Sequence, residues 1–159
     1  AKAGDYSAFA LLLRDRYGTL WLDLDVARRP TTAIVERGLE LYERWQPNAF
    51  ACETNAYQEL LGVEFLRAAR ARGITLPMFG INNMVKKEVR IRRLGPYLAQ
   101  GRLRVRATPG GKQFVQEARD FPLGLHDDCL DACEMGIRMV DYLLGRRDAE
   151  NQPQVLRAA

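Results

Sequence analysis

Short apolar runs of strand length alternate along this chain with longer amphipathic segments of helical period, and that alternation restricts the fold to layers of sheet and helix. The cleanest strand signal sets Leu20, Leu22, Leu24 and Val26 on one face against Trp21, Asp23 and Asp25 on the other. With the apolar run 8–13 and the turn 14–19 before it, this segment predicts a two-stranded hairpin. A helix follows, with Thr31 or Thr32 as its cap, Ile34, Val35, Leu39, Leu41, Tyr42 and Trp45 as its apolar positions, and Pro47 as its stop. The chain then predicts a strand over 49–53, a helix through Leu60, Phe65 and Ala69 closed by Gly73, and a strand over 76–81. A helix over 84–100 carries Gly95-Pro96, which strains its interior, and a basic-apolar edge strand spans 102–106. A short helix over 110–119, a loop over 120–125 and a last helix over 127–144 complete the order. Trp21 and Trp45 are read as core. Residues 1–147 form one α/β domain, and 148–159 a polar tail that frays.

At 159 residues and 47% apolar content, the chain can bury one domain core. No run approaches the roughly 20 apolar residues of a membrane span, and residues 1–5 lack the charged and apolar regions of a secretory signal, so a cytosolic setting is expected. Three cysteines, two of them four apart on one helix, suit reduced thiols better than a disulfide framework. The net charge of +4 hides a local imbalance: from Lys86 to Arg106 there are eight basic residues and one acid, Glu88. That segment is a candidate polyanion surface, the alternative being solvated helix and strand faces.

The run His126-Asp127-Asp128-Cys129-Leu130-Asp131 places three carboxylates in five residues where the last helix begins. On a helix Asp131 shares a face with both Asp127 and Asp128, so the charges repel unless a cation neutralises them, and a divalent metal is the simplest remedy. The alternative is a helix cap, which one aspartate would satisfy. Glu53 closes an apolar strand, where ligands of open α/β sheets gather; its alternative is an acid favoured by a helix dipole. A sparse Asp/Glu set suits Mg2+ or Mn2+, and two such ions about 3.5–4 Å apart can activate water and stabilise the leaving oxygen of a phosphodiester. With Lys86, Lys87, Arg90, Arg92, Arg93 and Arg104 holding phosphates, the set describes a nuclease. One rival is a zinc module built from His126, Cys129, Cys133 and Cys52. Another is a non-catalytic nucleic-acid-binding domain. His126 could orient the acids, touch phosphate or be a plain loop residue.

Several segments in order, Gly4-Asp5-Tyr6-Ser7-Ala8, the hairpin ending Asp23-Leu24-Asp25-Val26, Cys52-Glu53-Thr54-Asn55, Lys87 to Arg93 with Leu94-Gly95-Pro96-Tyr97-Leu98, and Phe121-Pro122 leading to His126-Asp127-Asp128, resemble the C-terminal nuclease domain of phage terminase large subunits. The resemblance covers nearly the whole chain. It implies an RNase H-like mixed β-sheet flanked by helices and a two-metal-ion endonuclease that cuts double-stranded viral DNA during packaging, in the host cytoplasm. It also implies as partners an ATPase domain, a small terminase subunit and a portal. Glu53, Asp127 and Asp128 match the family's catalytic carboxylates, Asp131 is a weaker match, and Asp5 resembles an acid near the metals. The family's first strand and its aspartate would precede Ala1, so weak or no nuclease activity is expected of this chain by itself.

Overall fold

The computed structural model describes residues 6–55, 58–146 and 152–157. Their order is β1 (Tyr6–Arg14), β2 (Leu20–Arg28), α1 (Thr31–Trp45), β3 (Phe50–Glu53), α2 (Gln58–Ala71), β4 (Met78–Ile81), α3 (Lys87–Arg92), α4 (Leu94–Ala99), β5 (Leu103–Val105), α5 (Pro109–Asp120), α6 (Asp128–Leu143) and β6 (Gln154–Val155). The fold is α/β. Among the described residues the strands form two three-stranded mixed sheets, β1-β2-β5 and β3-β4-β6, where one sheet was expected. The chain divides into two compact units: one takes the residues up to Arg28 with Val85–Val140, the other Arg29–Met84 with the residues from Asp141 onward. No described helix is long and apolar enough to cross a membrane.

In the first unit β1 and β2 pair antiparallel from Tyr6↔Arg28 to Arg14↔Leu20, and β2 pairs parallel with β5. The hairpin turn is organised by Asp15, whose carboxylate accepts from the Tyr17 and Thr19 amides, while Gly18 takes the left-handed conformation. Alternation along β2 then decides the core: Leu20, Leu22 and Leu24 are buried and pack with Ile91, Leu103, Phe114 and Leu130. Trp21 lies on the opposite face and is 44% exposed, so it is not core; its indole N–H donates to Asp15 Oδ2 at 3.1 Å. That bond is the foremost cause holding the Asp15 carboxyl below its ordinary pKa.

The single helix expected over 84–100 is two short ones, α3 and α4, with Pro96 in the first turn of α4, where its missing N–H costs no intrahelical bond. Thr108 caps α5 by accepting from the Gly111 amide at 3.2 Å, with Pro109 as first helical residue. Gly110 lets α5 lie directly on β2, since a Cβ there would meet Leu24 O at 2.0 Å.

In the second unit β3 and β4 pair parallel from Phe50↔Met78 to Glu53↔Ile81. Helix α1 begins after Pro30 with no side-chain cap, so neither Thr31 nor Thr32 serves as one. It ends where Gln46 turns left-handed ahead of Pro47. Leu39, Phe65, Met78 and Ile81 are buried, and Gly38 is the seat of the Phe65 ring. Trp45 is half-exposed with the Arg44 guanidinium over its ring, and so it too is not core. The expected tail contains a strand: β6 adds antiparallel to β4, and Leu156 N donates to Met78 O at 2.9 Å. Leu156 packs where Gly62 and Gly80 leave room, which an alternation-poor polar sequence does not reveal. The rest of that tail lies outside the described residues.

Candidate functional site

The acidic run opens α6 in the first unit, and its electrostatics are settled largely by cations of the chain itself. Lys87 Nζ lies 2.6 Å from Asp127 Oδ1 and 3.7 Å from Asp131 Oδ2. Arg90 Nη1 donates to Asp131 Oδ1 at 2.5 Å and to Glu134 Oε2 at 3.2 Å, while its Nε donates to Val85 O at 3.1 Å. Glu134 is also bridged by Arg138 at 3.0 Å. Arg90, Asp131, Glu134 and Arg138 are all buried. Such charges persist out of water only when paired and hydrogen-bonded; Arg90, Asp131 and Glu134 are so held, while Arg138 meets Glu134 through Nη2 and leaves its buried Nε and Nη1 without a hydrogen bond.

The three aspartates therefore have three different states. Asp131 is locked in a buried ion-pair network. Asp127 is held by a half-exposed lysine, and the carboxylate of half-buried Asp128 makes no ion pair or hydrogen bond with any described residue. Burial pushes the Asp128 carboxyl above its ordinary pKa; nearby Lys87 opposes this, and Glu117 and Asp127 add to it. The repulsion argument for a metal thus falls away for Asp131 and Asp127 and survives at Asp128.

Neither Asp127 nor Asp128 supplies a side-chain cap for α6. Glu117, buried on α5, does so: its Oε2 accepts from Cys129 N at 2.8 Å and Leu130 N at 3.3 Å, and its Oε1 from Gln113 at 3.1 Å. Sequence reasoning missed this residue. The available signal was a lone acid on the apolar stripe of Phe114, Ala118 and Phe121, a position no acid occupies without a partner.

Glu53 belongs to the second unit, at the end of β3 as expected, with its Oε1 accepting from Asn83 Nδ2 at 2.8 Å. Asp5 lies outside the described residues. His126 is exposed, its ring edge-on to Tyr6 at 5.0 Å, with the Arg28 guanidinium 4.8 Å from the Tyr6 centroid.

Of the basic residues, Lys86, Arg92, Arg93 and Arg104 are exposed and Lys87 is partly so. Arg90 is 3% exposed and committed to Asp131 and Glu134, so it presents no surface to a phosphate. Arg104 lies over Trp21, Arg102 over Tyr97 and Arg92 over Phe121, at 5.2, 4.4 and 5.7 Å from the ring centroids. Stacking on a ring orients a guanidinium without using its edge donors, one of which, in Arg92, goes to Glu88 Oε1 at 2.7 Å. Cys129 and Cys133 are fully buried; burial raises both thiols, Cys133 to about 12, and Cys52 in the second unit rises to about 11. These are packing cysteines rather than thiolate ligands.

Among the described residues no three of His, Cys, Asp and Glu form a ready-made metal cage. Mg2+ and Mn2+ are held through one or two carboxylates with water and substrate phosphate, so the donors to weigh are individual ones. Asp128 fits such an ion, being an unpaired carboxylate that burial disfavours. Asp127 fits once Lys87 moves. Asp131 does not fit, because Arg90 and Lys87 occupy its oxygens. Comparison with protein-family models and with curated proteins returns no match.

Proposed function

We propose that the chain is a metal-dependent endonuclease acting on double-stranded DNA, of the RNase H-like kind found in terminase large subunits. The observation that carries this reading is Asp128, an unpaired carboxylate at the mouth of α6 beside the displaceable Lys87–Asp127 pair. The strand order supports it: an antiparallel hairpin, then a parallel β-α-β unit ending in Glu53 and Ile81, then an acid-headed helix. In this reading Asp128 and Asp127 hold Mg2+ or Mn2+, which supplies an activated water and neutralises charge on the phosphodiester. Glu117 and the Arg90–Asp131 pair keep the first turn of α6 in place. Lys86, Arg92, Arg93 and Arg104 bind the phosphate backbone without reading bases.

The test is Mn2+-dependent nicking of supercoiled plasmid by the purified chain beside Asp128→Asn. Weak nicking that disappears in the variant, with DNA binding retained or tightened, is the expected result. Cleavage that survives Asp128→Asn refutes the site assignment. A non-catalytic DNA-binding domain is the second reading, favoured by the ring-stacked arginines and by acids already neutralised within the chain. It predicts salt-sensitive DNA binding with no Mn2+-dependent nicking at any enzyme concentration.

A further inference from the structure

The ammonium of Lys87 stands where a metal reading would put a cation. It contacts Asp127 at 2.6 Å and Asp131 at 3.7 Å, and it is the foremost charge opposing the burial of Asp128. Its two aspartate partners are not equivalent. Asp131 is held independently by the buried Arg90, whereas Asp127 has only this lysine among the described residues. The Lys87–Asp127 pair has side chains 39% and 38% exposed, and pairs so open to water are weak and exchange readily. A buried guanidinium thus fixes one acid permanently, while a surface lysine on the neighbouring helix covers another reversibly.

From this geometry we propose that Lys87 is a tethered counter-cation that gates divalent-ion binding at Asp127 and Asp128. The ion takes its place only as the ammonium leaves Asp127. Arg90 keeps Asp131 and the first turn of α6 fixed throughout, so the exchange needs a side-chain movement and no refolding. The inference rests on the metal-dependent reading of the same acids, but it makes a separate demand: removing the lysine must improve metal binding, whereas a lysine that merely supported the site would leave it worse.

The experiment is Mn2+ titration of the intact chain, followed calorimetrically and by the electron paramagnetic resonance signal of free Mn2+. It compares wild type, Lys87→Met, Lys87→Gln, Lys87→Arg and, as a charge-removal control on α5, Lys112→Met. The expected result is about a fivefold tighter Mn2+ affinity in both neutral Lys87 variants, the factor set by an exposed ion pair at the strong end of its range. Lys87→Arg and Lys112→Met should stay within twofold of wild type. If wild type binds Mn2+ in a manner lost in Asp128→Asn, and the neutral Lys87 variants bind it equally or more weakly, the gate is refuted while the metal reading stands. If no variant binds Mn2+ at these acids, both are refuted.

Discussion

Replacing Arg90 with methionine tests whether the buried network or the acidic run itself organises α6. Arg90 supplies three hydrogen bonds, to Val85 O, Asp131 and Glu134. In the variant Asp131 retains only Lys87 at 3.7 Å, whereas Glu134 keeps Arg138 at 3.0 Å and Arg93 at 3.9 Å. Removing one partner of a buried ion pair costs about 3–5 kcal/mol, because the other charge is left uncompensated out of water. The surviving contacts place Arg90→Met at the lower end, about 3 kcal/mol. With a urea slope of about 2 kcal/mol/M, the unfolding midpoint falls by about 1.5 M with the slope unchanged. Arg90→Lys should recover less than half of this, since one ammonium cannot span a carbonyl and two carboxylates in the guanidinium's fork geometry. Asp131→Asn introduced with Arg90→Met should be less destabilised than the single variant, because the stranded charge has gone. Denaturation read by tryptophan fluorescence and circular dichroism provides the measurement, and a loss below about 1 kcal/mol for Arg90→Met would refute the reasoning. DNA affinity measured on the folded fraction should not change, since Arg90 has no exposed surface.

The raised pKa of Asp128 predicts a stability effect of definite sign. A folded-state pKa above the unfolded one stabilises the fold fully below the unfolded value, about 3.9, and that contribution is lost as pH rises through the folded value, so the ionised carboxylate opposes folding at pH 7. Asp128→Asn should therefore melt higher than wild type at pH 7, the difference shrinking as pH falls through the acid range; an equal or lower melting temperature at pH 7 contradicts the burial argument. At Gly110, a Cβ 2.0 Å from Leu24 O meets backbone that cannot yield, so Gly110→Ala should lose about 3 kcal/mol or more in urea denaturation.

The elements were legible because their signals are local. Period-two alternation in Leu20 to Val26 names both the strand and its buried face, and it already assigns Trp21 to the other side with Asp23 and Asp25. Capping chemistry was legible in part. Thr108-Pro109 is a recognisable helix start, and the helix predicted from Gly110 begins one residue earlier, whereas no local feature marks Pro30 as the start of α1. The acidic run, the basic segment and Glu53 at a strand end also stand in the sequence as chemistry.

Which charge answers which was not legible. Arg90 and Asp131 are 41 residues apart, Arg90 and Glu134 are 44 apart, and Glu117 reaches the amide of Cys129 across a loop. By sequence alone the basic residues of 86–93 were interchangeable members of one positive surface. The tertiary structure divides them into a buried lock, Arg90, a labile partner, Lys87, and exposed neighbours, because burial makes pairing obligatory where water would otherwise make it optional. The sequence by itself determined the α/β elements and the presence of an acid cluster, since periodicity and composition act within a few residues. Only the tertiary structure decided that Asp128 is the acid of the run whose carboxylate has no ion pair or hydrogen bond among the described residues, because that depends on which side chains of distant segments the packing brings within a few ångströms.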